Sequence, residues 1–341
     1  MAPRAFITDL SGRSLTTEER TFLRDTQPWG VILFKRNVDT PDQVRGLIKS
    51  ARDALGRNAP VLVDQEGGRV QRLGPPHWPV YPPGRAYGRL FDRDPAQGIA
   101  AARLGAQLIA GDLHELGIDV DCLPLADVPA GAADPVIGDR AYGETPEKVA
   151  ALARAVADGL RLGGVLAVLK HLPGHGRATA DSHTALPVVR ADRQTLESSD
   201  FAAFRPLADL PMGMTAHVVF AAIDAVAPVT TSATMIREVI RGFIGFDGLL
   251  MSDDVSMGAL SGSVGARSRA AIAAGCDIVL HCNGSLPERR EVADAVPPLQ
   301  GAASRRAASA LALRCAPVAL DVAAARHEFR RLLADVEVRV S

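Results

Sequence analysis

The segment from Lys170 to His183 is the most informative part of this sequence. It places one lysine, three histidines and one aspartate within fourteen residues. Pro173 removes a backbone donor and fixes φ, and the two nearby glycines allow conformations closed to other residues, so this backbone is not helical. The segment follows the apolar run Val165–Leu169, which predicts a strand. A polar, non-helical segment at the end of a buried strand is typical of an active-site loop on a rigid scaffold.

Two side chains in this segment have the spacing of a proton-transfer pair. Asp181 and His183 are two residues apart, so in an extended loop they lie on one face and the carboxylate accepts from one imidazole nitrogen. That contact fixes the tautomer and raises the basicity of the other nitrogen. The competing interpretation is an ordinary surface pair. His171 and His175 have the spacing of a zinc-binding pair, but it converges only on a helix, which the proline and glycines exclude.

A second candidate for chemistry is the acidic pair that ends another apolar strand. Gly248–Met251 runs directly into a serine and then Asp253 and Asp254. Because neighbouring side chains alternate in direction, we expect Asp253 to point inward as a nucleophile and Asp254 to turn toward a helix or solvent. Capping of the following helix is the alternative for the pair.

A third group of polar residues is suited to a ligand that carries several hydroxyl groups. Asp64 and Arg72 flank the Glu-Gly-Gly turn that follows a further apolar strand. A carboxylate accepts from two vicinal hydroxyls, and a guanidinium donates to several oxygens. Arg140 has the same capacity. Each is also a candidate for a structural ion pair, and His217 is predicted either to line the site or to be a core histidine.

These residues are positioned by short apolar strands that alternate with amphipathic helices along almost the whole chain. Strands are predicted at Ala5–Leu10, Gly30–Phe34, Val61–Asp64, Val120–Leu123, Val165–Leu169, Met212–Ala216, Gly248–Met251 and Asp277–Leu280. Purely aliphatic and β-branched strands are typical of a parallel sheet that is buried on both faces. Eight strand–helix units fit an α/β protein with a single (β/α)8 barrel of the TIM type, with irregular strands allowed, better than a doubly wound sheet.

The positions of the polar residues also favour the barrel. They fall at or just past the carboxyl ends of strands, at Asp9, Asp64–Glu66, Asp127, Lys170–His171, His217 and Asp253–Asp254. In a barrel these ends converge on one mouth, so we expect the groups to face a shared pocket. A doubly wound sheet would distribute them along an edge.

The sequence also contains signals for two helix ends and lacks nucleotide-binding motifs. Thr16 with Glu19 predicts a capping box at the first helix, and Gly117 is expected to close a later one. No dinucleotide-binding or P-loop motif follows a strand. The Ala- and Arg-rich segment 301–341 predicts terminal helices that pack on the barrel. We therefore expect residues 1–341 to form a single catalytic barrel domain.

Composition limits the partners that this chain can take. Of 341 residues, 47% are apolar and 23% charged, and the formal net charge is −1, so no basic field is available for nucleic acid or anionic lipid. The four cysteines form no CxxC pair, and Cys276, His281 and Cys282 are expected to be core residues rather than a metal site. No signal peptide or membrane span is apparent, which favours a reduced, cytoplasmic compartment.

Four ordered motifs resemble those of the bacterial β-N-acetylhexosaminidases of glycoside hydrolase family 3. They are Lys170–Gly176 with Asp181–His183, Val63–Val70, Gly138–Arg140 and Ser252–Met257. The resemblance extends over nearly the whole chain. Leu172 stands where phenylalanine is common and Val255 where leucine is common, and both exchanges are apolar.

The resemblance implies an exo-acting enzyme that removes terminal, non-reducing β-linked N-acetylglucosamine. Single-barrel cytoplasmic members of the family act in peptidoglycan recycling on 1,6-anhydro-N-acetylmuramyl muropeptides. The matched positions imply Asp253 as nucleophile, His183 as acid/base and Asp181 as its orienting partner. The sugar-binding residues would be Asp64, Arg72, Arg140, Lys170 and His171. Neither a metal nor an organic cofactor is expected, and the expected oligomeric state is a monomer.

The expected mechanism is two-step hydrolysis with retained configuration. Most glycosidases use two carboxyl groups, whereas here imidazole replaces the acid. The alternatives are a β-glucosidase or a glycoside phosphorylase of the same superfamily, a sugar-binding barrel without catalysis, and a metal-dependent hydrolase.

Overall fold

The computed structural model describes residues 2–131, 136–178, 181–182, 185–334 and 336. Within these ranges, eight parallel strands follow one another in sequence order and close into a barrel. The strands are β1 (Arg4–Asp9), β2 (Pro28–Leu33), β3 (Val61–Val63), β4 (Val120–Asp121), β5 (Leu166–Leu172), β6 (Met212–Thr215), β7 (Leu249–Asp254) and β8 (Ile278–His281). The predicted (β/α)8 barrel is confirmed.

The helices surround this barrel. They are α1 (Thr17–Thr26), α2 (Pro41–Leu55), α3 (Gly84–Arg93), α4 (Pro95–His114), α5 (Pro146–Leu162), α6 (Arg193–Ser198), a π-helix at Met235–Phe243, α7 (Val264–Ala274), α8 (Leu286–Ala295), α9 (Gly301–Ala312) and α10 (Val322–Leu333). Strand residues such as Phe6, Ile7 and Leu62 are fully buried, as expected for a sheet covered on both faces. None of the helices in the described ranges combines the length and apolar character that crossing a bilayer requires.

Two of the helix signals are found where the sequence placed them. Thr16 and Glu19 form the predicted capping box, because the Thr16 hydroxyl accepts from the Glu19 N–H at 3.1 Å and the Glu19 carboxylate accepts from the Thr16 N–H at 3.1 Å. Gly117 follows α4 with φ at +85°, a conformation that favours glycine, and its N–H donates to the His114 carbonyl at 3.0 Å.

β5 and β7 extend three residues further at their carboxyl ends than predicted, and both extensions carry site residues. β5 continues through Leu172 instead of ending at Leu169, and β7 continues to Asp254 instead of Met251. The register of each strand shifts by one residue in its extension, between Leu169 and Leu172 and between Met251 and Asp254. An extra residue in a strand redirects the side chains around it. The predicted loop at Lys170–Leu172 is therefore wrong, since these residues are irregular strand.

The last two helices lie on the outside of the barrel. α9 contacts β7, and α10 contacts α4. The Phe329 ring of α10 lies 6.3 Å from the rings of both Tyr81 and Tyr87, measured between centroids. The part of segment 301–341 that follows residue 336 is outside the described residues.

Candidate active site

The carboxyl ends of the barrel strands surround a cavity of about 340 Å³. Its wall includes six of the residues that the sequence proposed, namely Asp64, Arg72, Arg140, Lys170, His171 and Asp253. They come from the ends of β3, β5 and β7 and from two connecting segments, so the barrel brings together residues that are up to 189 positions apart in sequence. Asp253 thus shares one cavity with the cationic and carboxylate groups proposed to bind a ligand.

The floor of the cavity holds a network of buried ion pairs. Lys170 Nζ lies 3.1 Å from Asp64 Oδ1 and 2.7 Å from Glu66 Oε1. Arg140 donates to both Glu66 oxygens at 2.8 Å in a bidentate pair. Arg72 Nη2 donates to Asp64 Oδ2 at 3.0 Å. Three cations and two carboxylates therefore occupy the network, and it carries a net charge of +1 beside Asp253.

The network keeps its members ionised in spite of burial. Burial by itself raises the pKa of both Asp64 and Glu66, but the neighbouring cations more than offset it. Lys170 and Arg72 hold the pKa of Asp64 well below its usual range, and Arg140 with Lys170 lowers the pKa of Glu66 to about 2. Burial lowers the pKa of Lys170, yet Glu66 and Asp64 leave it raised overall. Charged donors and acceptors thus face the cavity at neutral pH.

A short hairpin fixes the position of Glu66. Gln65–Gly67 pairs antiparallel with Val70–Gln71 directly after β3. The turn between them requires glycine, since Gly67 has φ at +93° and a Cβ there would lie 2.3 Å from the Pro82 carbonyl oxygen. The Gln65 side chain accepts from the N–H groups of Arg72 and Leu73, which holds the second strand in place.

Asp253 has one oxygen engaged and one available. Its Oδ1 accepts from the Asp254 N–H at 2.8 Å, and Oδ2 forms no hydrogen bond within the described residues. Burial tends to raise the pKa of Asp253, but His217, His171 and Lys170 with the Asp254 N–H lower it below its ordinary value. Among the described residues the carboxylate is therefore ionised and has one oxygen without a hydrogen bond, as a nucleophile requires.

Asp254 differs from the expectation for it. We expected this side chain to turn toward a helix or solvent, but only 8% of the residue is exposed. Its carboxylate accepts from Ser256 N at 2.9 Å, Ser256 Oγ at 2.6 Å and Cys282 N at 3.0 Å, so it joins the turn after β7 to the end of β8. Backbone donors that follow β7 and β8 hold it inward, and burial raises its pKa to about 6.

A buried aspartate organises the segment after β5. Asp127 Oδ2 accepts from His171 Nδ1 at 2.7 Å, while Asp127 Oδ1 accepts from the His175 N–H at 2.7 Å and the His171 N–H at 3.3 Å. His175 Nε2 in turn lies 3.0 Å from Ser182 Oγ. His171 and His175 were considered as a possible zinc pair. Their Nδ1 and Nε2 atoms, respectively, are instead hydrogen-bonded to Asp127 and Ser182.

The predicted acid/base pair is only partly within the described residues. His183 lies outside them, so its position and its distance from Asp181 are not described. Asp181 is described, and its carbonyl accepts from the Ala185 N–H at 3.0 Å. The neighbouring Ser182 accepts from the Ala259 N–H through its carbonyl at 3.1 Å, which ties this segment to the turn after β7. The roles of His183 and Asp181 remain predictions.

Four polar residues at strand ends are not part of the cavity wall, namely Asp9, Gln65, Asp127 and His217. For the first three this is contrary to prediction, and for His217 the second of its two predicted alternatives holds. Asp9 pairs with Arg36 and Arg289, and Arg289 Nε lies 2.8 Å from Asp9 Oδ1. Gln65 supports the hairpin. His217 is a fully buried core histidine, with Nδ1 2.7 Å from Thr230 Oγ1 and Nε2 2.9 Å from the Asp254 carbonyl. A strand end places a residue at the mouth, but the direction of its side chain decides whether it faces the cavity.

Sequence reasoning missed two site residues. Glu66 was expected at the mouth as part of Asp64–Glu66 but was given no role, although its position two residues after Asp64 indicated a second carboxylate on the same side. Asp127 was noted at a strand end but given no role, because its contact with His171 joins residues 44 positions apart. Phe34 and Asn283 also line the cavity, and no pattern in the sequence pointed to them.

Comparison with known proteins identifies the family. The model of the glycosyl hydrolase family 3 N-terminal domain matches residues 7–310. This chain belongs to glycosyl hydrolase family 3. The resemblance inferred from the four motifs is therefore confirmed.

Relatives within glycosyl hydrolase family 3 include β-hexosaminidases. The β-hexosaminidase of Alkalilimnicola ehrlichii is 45% identical over 280 residues, which cover 80% of this chain and 79% of that protein. The crystal structure of NagZ from Neisseria gonorrhoeae in complex with N-trifluoroacetyl-D-glucosamine superposes with a TM-score of 0.84 at 31% identity, covering 98% of this chain and 97% of that one. A family 3 β-N-acetylglucosaminidase from Paenibacillus sp. gives a TM-score of 0.85 at 28% identity, covering 97% of this chain and 66% of that one.

Proposed function

We propose that this chain is a β-N-acetylhexosaminidase that removes terminal, non-reducing β-linked N-acetylglucosamine with retention of configuration. The observation that carries the proposal is the ionised Asp253, whose Oδ2 forms no hydrogen bond within the described residues, in the same cavity as the network of Lys170, Asp64, Glu66 and Arg140. Membership of a glycoside hydrolase family that includes β-hexosaminidases supports it. The number and placement of charged donors and acceptors suit one sugar ring.

In the first step, Asp253 Oδ2 attacks the anomeric carbon. The bond from that carbon to the glycosidic oxygen breaks, and His183, oriented by Asp181, gives its proton to the departing oxygen. A covalent glycosyl ester on Asp253 results. His217, His171, the Asp254 N–H and Lys170 lower the pKa of Asp253 below its ordinary value, which keeps the attacking carboxylate ionised at neutral pH.

In the second step, water replaces the enzyme oxygen at the anomeric carbon. His183, now neutral, removes a proton from the water, the ester bond to Asp253 breaks, and the sugar leaves with its original β configuration. Asp253 and His183 return to their starting states. Two inversions at one carbon give overall retention.

The sugar hydroxyls are bound by the floor of the cavity. Asp64 accepts hydrogen bonds from the hydroxyl groups of the sugar ring, while Lys170 and Arg140 donate hydrogen bonds to the oxygens of the sugar. Arg72 fixes Asp64 and donates from the rim, and His171 contacts the sugar beside Asp253. Because the buried ion pairs already hold these side chains in place, binding orders few of them.

The finer parts of the proposal follow the family resemblance. The substrate is a muropeptide that ends in 1,6-anhydro-N-acetylmuramic acid, and the enzyme acts in cytoplasmic peptidoglycan recycling as a monomer without a metal or organic cofactor. Residues 1–341 act as a single catalytic domain. The four cysteines are free thiols, which is compatible with a reducing compartment.

The activity is tested with an aryl β-N-acetylglucosaminide and with an anhydro-muropeptide. Asp253→Asn is expected to lower kcat/KM by about 10³-fold or more while leaving the fold intact. The matched control is Asp277→Asn, a buried carboxylate that pairs with Arg241 and Arg306 at the amino end of β8. It is expected to affect stability rather than the activity of the folded enzyme. Equal activity of Asp253→Asn and the wild type would refute the assignment.

The same assay separates the alternatives. Proton NMR of the released sugar is expected to show the β anomer first. Sugar 1-phosphate formed in phosphate buffer would indicate a phosphorylase, and faster hydrolysis of a β-glucoside would indicate a β-glucosidase. Binding of N-acetylglucosamine without turnover would indicate a sugar-binding barrel, and loss of activity with a chelator would indicate a metal-dependent hydrolase.

A further inference from the structure

Asp127 is a fully buried carboxylate that accepts hydrogen bonds from two histidine residues. It lies after β4, and three donors converge on it, namely His171 Nδ1, the His171 N–H and the His175 N–H. It is not part of the cavity wall, whereas His171 is. The imidazole of His171 is therefore held between a buried acceptor on one side and the cavity on the other.

The charge state of Asp127 determines which nitrogen of His171 carries hydrogen. Burial raises the pKa of Asp127, but His171 and His175 offset this and leave it at about 2. An ionised carboxylate only accepts hydrogen bonds. His171 Nδ1, 2.7 Å from Asp127 Oδ2, must therefore carry hydrogen. In the neutral ring, Nε2 is the nitrogen without hydrogen, and it forms no hydrogen bond within the described residues.

We propose that Asp127 is a positioning residue that selects the Nδ1-protonated form of His171 and directs Nε2 toward the sugar beside Asp253. The inference rests on the proposed function for the identity of the ligand, but the hydrogen position does not depend on it. A carboxylate behind an imidazole fixes both ring orientation and tautomer, and does so most firmly when it is buried. Asp127 also anchors the segment that follows His171, because it accepts from the His175 N–H.

Asp127→Asn separates these two roles. The asparagine oxygen still accepts from the His175 N–H, so the segment stays anchored. Its NH2 group, however, is a donor facing His171 Nδ1, which requires Nδ1 to accept and moves the hydrogen of the neutral ring to Nε2. The variant therefore changes the tautomer of His171 while it preserves the shape of the side chain at position 127.

The test is long-range 1H–15N NMR on the full-length protein labelled with 15N-histidine, recorded without ligand from pH 6 to pH 9. The His171 signals are identified by their loss in His171→Gln. In the wild type we expect the neutral ring to carry hydrogen on Nδ1, and in Asp127→Asn on Nε2. Hydrogen on Nε2 in the wild type, or an unchanged tautomer in the variant, overturns the proposal. The wild-type spectrum alone decides the first point if the variant does not fold.

Kinetics test whether the tautomer matters for the reaction. We expect Asp127→Asn to lower kcat/KM by about 10- to 100-fold, the range for one oriented hydrogen bond. The control is Asp121→Asn, which changes a buried aspartate at the end of β4. Its carboxylate accepts from the Gln65 N–H and contacts no histidine ring within the described residues, so the variant is expected to retain activity. A changed tautomer with wild-type kinetics overturns the positioning role. If the wild type hydrolyses no N-acetylglucosaminide, the proposed function fails, and the NMR result still decides the tautomer.

Discussion

The buried ion-pair network makes a quantitative prediction for Glu66→Gln. The wild-type Glu66 has its pKa lowered to about 2 from an ordinary value of 4.5, and only 5% of its side chain is exposed. At about 1.4 kcal/mol per pH unit, that difference corresponds to about 3 kcal/mol of folding free energy at pH 7. Removing one partner of a buried ion pair costs about 3–5 kcal/mol of folding free energy in general, which agrees with the value worked from the pKa of Glu66. We expect Glu66→Gln to lose about 3 kcal/mol.

The loss must depend on pH in a defined direction. Because the pKa of Glu66 is depressed in the folded state, its contribution is complete above pH 4.5 and disappears as the pH falls toward 2. The difference between wild type and Glu66→Gln is therefore expected to stay constant from pH 8 to about pH 5 and then to shrink at lower pH.

Urea unfolding followed by tryptophan fluorescence measures this difference, since Trp29 and Trp78 are both buried in the native state. The matched control is Glu144→Gln. Glu144 also pairs with an arginine, Arg85, at 2.9 Å, but its side chain is 67% exposed, so we expect a loss below about 1 kcal/mol. A loss for Glu66→Gln no larger than for the control, or one that persists unchanged at pH 3, would refute the reasoning.

Three further predictions concern residues around the site. Gly176→Ala is expected to lower kcat/KM by about 10²-fold, because a Cβ there would lie 2.3 Å from the Val128 carbonyl and displace the segment before Asp181; wild-type kinetics would contradict this. Asp121→Asn is expected to change the unfolding free energy by less than about 0.5 kcal/mol, since burial raises the pKa of Asp121 well above its usual range. Asp121→Ala is expected to lower the unfolding free energy by about 1–3 kcal/mol. Cys315 is the exposed cysteine, so Ellman's reagent is expected to modify one thiol quickly in the native protein and four after unfolding.

The barrel was predictable because its strands have a simple pattern. Short runs such as Val61–Val63 are aliphatic throughout. Each run is followed by polar residues at its carboxyl end, where the strands of the barrel converge on one mouth. The ends of β5 and β7 were less predictable. Lys170–Leu172 and Ser252–Asp254 are polar enough to suggest loops, but one extra residue in each strand lets them continue in irregular pairing. The periodicity of a sequence does not reveal a single extra residue within a strand.

The site was predictable in its residue types but not in its pairings. The clustering of Asp64, Arg72 and Lys170 at strand ends was sufficient to place them in one cavity. Which carboxylate accepts from which donor depends on side-chain directions across the barrel, so the contacts of Glu66 with Arg140 and of Asp127 with His171 were not foreseen. These contacts join residues that are 74 and 44 positions apart.

The central claim is that Asp253 forms a covalent bond to the sugar. The most direct measurement is incubation of the full-length enzyme with a fluorinated N-acetylglucosamine analogue that slows the second step, followed by mass spectrometry of proteolytic peptides. We predict a single labelled peptide in which the sugar is attached to the Asp253 carboxylate, and no label in Asp253→Asn. Attachment to any other side chain, Asp254 included, would contradict the account.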